Sequence, residues 1–482
     1  MAILGKTPKT APEFTPEQIA LAQLSQELAS QIELVLNFDR SQLANGGPSH
    51  DSFYKLDNSS SRHPPSGPGQ VLKVQEFTEP SVYNIPAQTS LSRIIYSTTN
   101  LNGTLIPASA AVLWPYAPRE FHNANSNHGH SKHNSASPKA PVVLWTHGTS
   151  GFYADGSPSA HRSLFYGDIV PFTLAQAGYV VVAPDYAGLG VATSWDGSFV
   201  PHQYLASHAG AADALNSLRA VRKIWGASIT DDYVVIGHSQ GGSISWGVSE
   251  LLAASSQESG AESANYKDLE DGHLGTIVTN PGTSTIYEGG ASAFFPWVGK
   301  SLATIFPTFK LSDWLTPLGI ARTELLGQIQ GGQFVSELLL SNETEIVNPA
   351  WNETWYERAA SALAIPGRRP FKGPMILFEG TSDRLGRVVT NTALFNETCP
   401  KYGGGFELML VNGTKHFPTI EASRHKWLSW IEDCFEGKPV SKDCVRSELE
   451  NFLPVERYQV QSKSYQQWAG APQWLYELPA GT

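Results

Sequence analysis

Short apolar runs bounded by turn residues recur along the chain, and from about residue 140 they alternate with stretches of helical period. Runs at 71–78, 91–98 and 106–114 read as three successive strands. Further on, 142–146 and 178–184 are short strand-like runs, and Ala211, Leu215, Leu218, Val221 and Ile224 then recur at helical spacing. A strand at 233–236 and a helix at 243–252 follow. Short apolar strands separated by helices predict a mostly parallel sheet covered on both faces. The alternation breaks between about 281 and 370, where Phe294, Phe295, Trp297, Phe306, Phe309, Trp314, Trp351 and Trp355 accompany several helical stretches. It resumes with strands at 375–379 and 406–411 and a helix near 421–435.

This pattern predicts one α/β domain in four pieces. Residues 1–70 form an N-terminal helix and loop that pack on the core. Here Thr15 caps, Pro16 opens the helix and Gln18 completes a capping box; Leu21, Leu24, Leu28, Ile32 and Val35 give the apolar stripe. Residues 71–280 and 371–482 form the two parts of the core, and 281–370 an inserted cap or lid.

Composition narrows the function. Hydrophobic residues at 41% and charged residues at 16% are globular values. A net charge of −11, with no basic cluster larger than Arg368-Arg369, argues against a nucleic-acid partner. No run approaches the roughly 20 apolar residues that span a bilayer. No signal peptide is visible, which favours the cytoplasm, with secretion open if a signal lies outside the sequence. Sequons at Asn58, Asn102, Asn342, Asn352, Asn396 and Asn412 point the other way. Three cysteines permit one disulfide, most simply Cys434 to Cys444 across a short loop. His122, His128, His130 and His133 lie in a polar stretch without Cys, Asp or Glu, which reads as a solvated loop rather than a metal site. No residue set calls for a metal or an organic cofactor, and no feature specifies an oligomeric state.

The chemistry centres on Gly237-His238-Ser239-Gln240-Gly241. Four β-formers lead into this pentapeptide and an apolar helical pattern leads out, the strand–turn–helix context of a nucleophile elbow. Side chains at Gly237 and Gly241 would collide with neighbouring backbone. A serine hydroxyl needs a base to take its proton and a carboxylate to hold that base. Asp383, on the loop after the strand at 375–379, is the candidate acid; Glu379, the nearest competitor, lies within the strand. His416, after the strand at 406–411, is the candidate base, while His238 points elsewhere and His425 sits on the following helix. Oxyanion donors are expected from the backbone of Gln240 and from the loop His147-Gly148-Thr149-Ser150-Gly151, with Thr149 favoured and Ser150 close behind.

Three segments, Trp145-Thr146-His147-Gly148-Thr149-Ser150-Gly151, Ala183-Pro184-Asp185-Tyr186-Ala187-Gly188-Leu189-Gly190 and Gly237-His238-Ser239-Gln240-Gly241-Gly242, together resemble the fungal secretory lipase family. That family is a group of capped α/β-hydrolases acting on carboxylic esters, and the resemblance runs from about residue 91 through the His416 region. It implies Ser239, Asp383 and His416 as the triad and Thr149 with Gln240 as the oxyanion site. Secreted relatives often carry a cysteine shortly after the oxyanion loop, where this chain has Asp155-Gly156-Ser157-Pro158-Ser159. The leading expectation is hydrolysis of a small or lipid-like ester. The alternative is an intracellular hydrolase or acyltransferase working on an ester, lactone or thioester in specialised metabolism. A binding protein without catalysis ranks third.

Overall fold

Apolar positions at alternate residues of each central strand sort onto two opposite faces of one sheet. Val143 and Trp145 join one buried cluster with Val181, Val234 and Ile236, whereas Val142 and Leu144 join another with Val180, Val182 and Val235. The computed structural model describes residues 14–56, 64–121, 138–257, 266–283, 293–340, 342–438 and 441–454. The histidine-bearing stretch at 122–133 and Asn58 lie outside them. Asn102, Asn342, Asn352 and Asn396 are exposed. No described helix is long and apolar enough to cross a membrane.

The sheet has ten strands: β1 (Val71–Gln75), β2 (Thr89–Thr99), β3 (Leu105–Pro115), β4 (Ala140–Thr146), β5 (Val180–Pro184), β6 (Ile229–His238), β7 (His273–Thr279), β8 (Met375–Gly380), β9 (Phe406–Val411) and β10 (Cys444–Leu449). Their order is β1-β2-β3-β5-β4-β6-β7-β8-β9-β10. Pairing is antiparallel from β1 through β3 to β5 and parallel from there to β10. The predicted α/β class therefore holds, with two strands added. β7 was not expected because His273, Gly275 and Thr276 interrupt its apolar run. β10 is an edge strand with alternating exposure and little apolar content.

The capping box forms as predicted: Gln18 N donates to Thr15 Oγ1 at 3.2 Å and Thr15 N to Gln18 Oε1 at 3.0 Å. The single N-terminal helix is instead two, Pro16–Leu21 and Gln26–Ser41. Gln23 adopts a left-handed φ of 49°, and Ser25 caps the second helix through Leu28 N. Between β7 and β8 lie the helices Phe295–Ile305, Pro317–Gln328, Gln333–Leu340 and Trp355–Ala364. The N-terminal segment is tied to them: Arg322 Nε donates to Ala22 O at 2.9 Å and Arg40 Nη2 to Ile329 O at 2.9 Å. Trp314 packs on Phe295, Phe309 and Trp351 as the interior of this helical segment.

The disulfide joins Cys399 to Cys444, not Cys434 to Cys444. Cys444 opens β10 opposite Phe406 of β9, and the helix Val388–Tyr402 places Cys399 in the same buried cluster as Phe406. Cys434 is buried in the other large cluster, with a free thiol. Proximity along the chain was overruled by the sheet that separates the two.

Candidate active site

β6 ends at His238, and the helix Gln240–Gln257 begins two residues later, so Ser239 alone makes the turn. It adopts φ 58°, a left-handed conformation that side chains other than glycine rarely take. The strain is held by its surroundings. Ser239 N donates to Thr279 O at 3.0 Å, and Ser239 O accepts from Ser243 N at 3.1 Å and Gly282 N at 3.3 Å. A Cβ on Gly237 would lie 2.0 Å from Gly241 O, and one on Gly241 would lie 2.0 Å from Thr146 O. Both glycines are therefore required by the close backbone approach read from the sequence.

Asp383 and His416 follow β8 and β9 at the same end of the sheet. His416 Nδ1 lies 2.8 Å from Asp383 Oδ2. Asp383 Oδ1 accepts from Leu385 N at 2.8 Å, and Asn280 Nδ2 donates to Oδ2. Burial pushes the Asp383 carboxyl up, but the His416 imidazole and these hydrogen bonds outweigh it and hold it below the ordinary aspartate value. Asp383 and His416 are thus brought together; among the described residues no hydrogen bond joins His416 to the half-buried Ser239. Catalytic hydrogen bonds are often long without substrate and tighten only in its complex.

The competitors are placed as well. Glu379 is fully buried inside β8, where Oε2 accepts from Asn391 Nδ2 at 2.5 Å. Burial, then the charge of Asp383, push its carboxyl well above the usual glutamate range. His425 is exposed on the helix Arg424–Phe435. His238 faces the base rather than away from it: Nε2 donates to the His416 carbonyl at 3.2 Å. Burial, then His416, push this imidazole down to about 3, so it is neutral.

The loop after β4 packs against the elbow. A Cβ on Gly148 would lie 3.2 Å from His238 O, and one on Gly241 2.5 Å from His147 O. Thr146 Oγ1 donates to Gly241 O at 2.7 Å. Ser150 Oγ is used inside the loop, donating to Gly156 O at 2.7 Å, while Thr149 Oγ1 lies 2.9 Å from Tyr204 Oη. The backbone N–H groups of Thr149 and Gln240 have no hydrogen-bond partner among the described residues. Phe152, just beyond this loop, stacks on Trp297 at 6.1 Å, and Tyr204 meets Trp297 edge-on at 5.6 Å. Sequence reasoning missed Asn280 and Tyr204. Asn280 directly follows β7, whose apolar run is broken by His273, Gly275 and Thr276, so no local pattern marks its position.

Fold and site together define a hydrolase architecture with a serine elbow. Residues 142–427, more than half of the chain, match the family model described as the alpha/beta hydrolase family. The chain belongs to the alpha/beta hydrolase family. Among solved structures it is similar to lipase A of Candida antarctica in its closed state, with TM-score 0.61 and 16% identity over 82% of this chain and 88% of that one. It is also similar to a ligand-bound form of the rice cell wall degrading esterase LipA from Xanthomonas oryzae, with TM-score 0.54 and 16% identity over 77% and 97% of the two chains. A putative hydrolase from Legionella pneumophila gives TM-score 0.55 and 15% identity over 77% and 100%. These likenesses are of fold, and they agree with the resemblance to fungal lipases read from the motifs. No curated protein sequence matches the chain.

Proposed function

We propose that this protein hydrolyses carboxylic esters through Ser239, His416 and Asp383. The observation that carries the reading is the 2.8 Å contact between His416 Nδ1, at the start of the helix His416–Ala422, and Asp383 Oδ2, on the loop after β8, at the sheet end where the strained Ser239 turn also lies. With Asp383 accepting at Nδ1, the neutral imidazole keeps its lone pair on Nε2 for the Ser239 proton. Ser239 Oγ then bonds to the carbonyl carbon, and the N–H groups of Gln240 and Thr149 receive the oxyanion. His416 returns the proton to the departing alcohol, and water repeats the cycle to release the acid. No metal or organic cofactor enters.

The lipase and esterase named among the solved structures support an ester as substrate. The helical segment between β7 and β8 is read as the cap. Phe152, Tyr204 and Trp297 form an apolar wall beside Thr149, which suits a small or lipid-like acyl group.

The test is a panel of p-nitrophenyl esters from acetyl to palmitoyl, with Ser239→Ala alongside and fluorophosphonate labelling of both proteins. Ester turnover and a Ser239 adduct, both abolished in Ser239→Ala, are expected. An unlabelled Ser239 in folded protein would sink the reading. Adding alcohol acceptors to the same assay separates hydrolysis from acyl transfer.

A further inference from the structure

The segment Asp185-Tyr186-Ala187-Gly188, singled out in the sequence, has no part in the chemistry above, yet it touches both sides of the oxyanion site. Tyr186 is fully buried with φ 70°, a left-handed conformation that carries strain. Its ring stacks on His147 at 4.2 Å and lies parallel to His202 at 6.2 Å. Its hydroxyl donates to His147 O at 2.9 Å, at the root of the Thr149 loop. On the other side, His202 Nδ1 lies 3.0 Å from Ala187 O, and His202 Nε2 lies 3.3 Å from Gln240 Nε2.

The hydrogen positions follow from these partners. A carbonyl only accepts, so Nδ1 carries the ring proton of His202. Burial pushes this imidazole down to about 3, so the ring is neutral and Nε2 holds a lone pair. That lone pair accepts from the Gln240 amide group. The acceptor of the Nδ1 proton is itself clamped: Ala187 N donates to Asp213 Oδ2 at 2.8 Å, and a Cβ on Gly188 (φ 87°) would lie 2.2 Å from His202 N. The turn therefore fixes the tautomer, and the tautomer fixes the Gln240 side chain.

We propose that His202 is a positioning residue for ester hydrolysis, holding Gln240 so that its backbone N–H meets the oxyanion, with Tyr186 as the frame that couples Gln240 to the Thr149 loop. This rests on the functional reading above. A positioning role acts on the transition state, so it lowers kcat and leaves KM nearly unchanged.

The test compares wild type, His202→Phe, His202→Gln and Tyr186→Phe in kcat, KM and affinity for a trifluoromethyl ketone, whose hemiketal adduct carries the oxyanion. Melting temperatures are measured alongside. His202→Phe keeps an aromatic ring and removes the acceptor. Its kcat is expected to fall about ten- to hundredfold, as for a small displacement of an oxyanion donor. KM should stay within about twofold, and ketone affinity should fall in step with kcat/KM. His202→Gln restores an acceptor and should recover part of the loss, and Tyr186→Phe should show the same kcat pattern more weakly. Wild-type kcat in folded His202→Phe overturns the proposal, as do equal losses in His202→Phe and His202→Gln that track melting temperature. If His202→Phe does not fold, Gln240→Leu decides: it keeps the N–H, loses the anchor, and must lower kcat. Inactive wild type with unlabelled Ser239 overturns the functional reading itself, a result distinct from any loss confined to the variants.

Discussion

Asn280 donates its side-chain amide to Asp383 Oδ2, the same carboxylate oxygen that faces His416 Nδ1. Asn280 is fully buried, so the bond is shielded from water, and it biases Asp383 toward the ionised acceptor that His416 needs. Asp383→Asn turns an N–H toward Nδ1 or reverses the tautomer, and kcat should fall on the order of 10³–10⁴. Asn280→Ala removes one of the donors to Asp383, with an expected kcat loss of about tenfold and a stability cost of about 1–3 kcal/mol. Steady-state kinetics on p-nitrophenyl butyrate and urea unfolding measure both. An Asp383→Asn variant with wild-type kcat would remove Asp383 from the mechanism.

The parts legible in the sequence were those where one signal dominates. β4, β5, β6, β8 and β9 announce themselves because strands buried on both faces are continuous apolar runs. The elbow is legible because glycine, serine and glycine at that spacing answer a steric demand that the structure reproduces at Gly237 and Gly241. β7 was hidden because polar letters break its apolar run although the strand is buried. His273 Nε2 lies 2.8 Å from Thr276 Oγ1, so a strand broken by polar letters is still a buried one. His238, adjacent to the serine, reads as pointing elsewhere; it points instead at the His416 backbone. Partners such as Asn280 and Tyr204 come from loops far along the chain, and no local pattern reports what a loop meets.

The glycine argument gives a sharp stability prediction. Gly241→Ala drives a methyl to 2.0 Å from Thr146 O and 2.5 Å from His147 O, backbone atoms that cannot move aside cheaply. A loss above about 3 kcal/mol is expected, together with loss of ester turnover. Gly67→Ala is the matched control, with nothing within 4 Å of its new methyl, and should lie within about 0.5 kcal/mol of wild type. Urea midpoints decide; equal behaviour of the two variants would contradict the elbow geometry.

Burial pushes Asp213 up to about 7, against hydrogen bonds that act the other way. Its Oδ1 has no partner among the described residues, while Oδ2 accepts from Ala187 N. The folded state thus holds a proton that the unfolded chain releases near pH 4. A raised carboxyl contributes stability that is full below about pH 4 and is lost as pH rises toward about 7. Asp213→Asn keeps an oxygen for Ala187 N and cannot ionise. Its stability relative to wild type should therefore increase between about pH 4 and pH 7, by a few kcal/mol at most. Urea unfolding across this range measures the difference; a constant offset would show that Asp213 is ionised throughout.

The Cys399–Cys444 disulfide ties β10, the sheet's edge strand, to the helix Val388–Tyr402 across 45 residues of sequence. Among the described residues β10 pairs only with β9, and its alternating exposure buries little apolar surface, so the covalent link adds to its attachment. Cross-linking a loop of this length removes chain entropy from the unfolded state, typically worth about 2–4 kcal/mol. Cys444→Ser should lower the unfolding free energy by that amount. Reduction by dithiothreitol should do the same to wild type and nothing further to the variant. Ester turnover should survive both, because Asp383 and His416 follow β8 and β9 rather than β10. Titration of thiols in denaturant provides the covalent check. One free thiol, Cys434, is expected before reduction and three after, and finding three before reduction would show that the disulfide does not form.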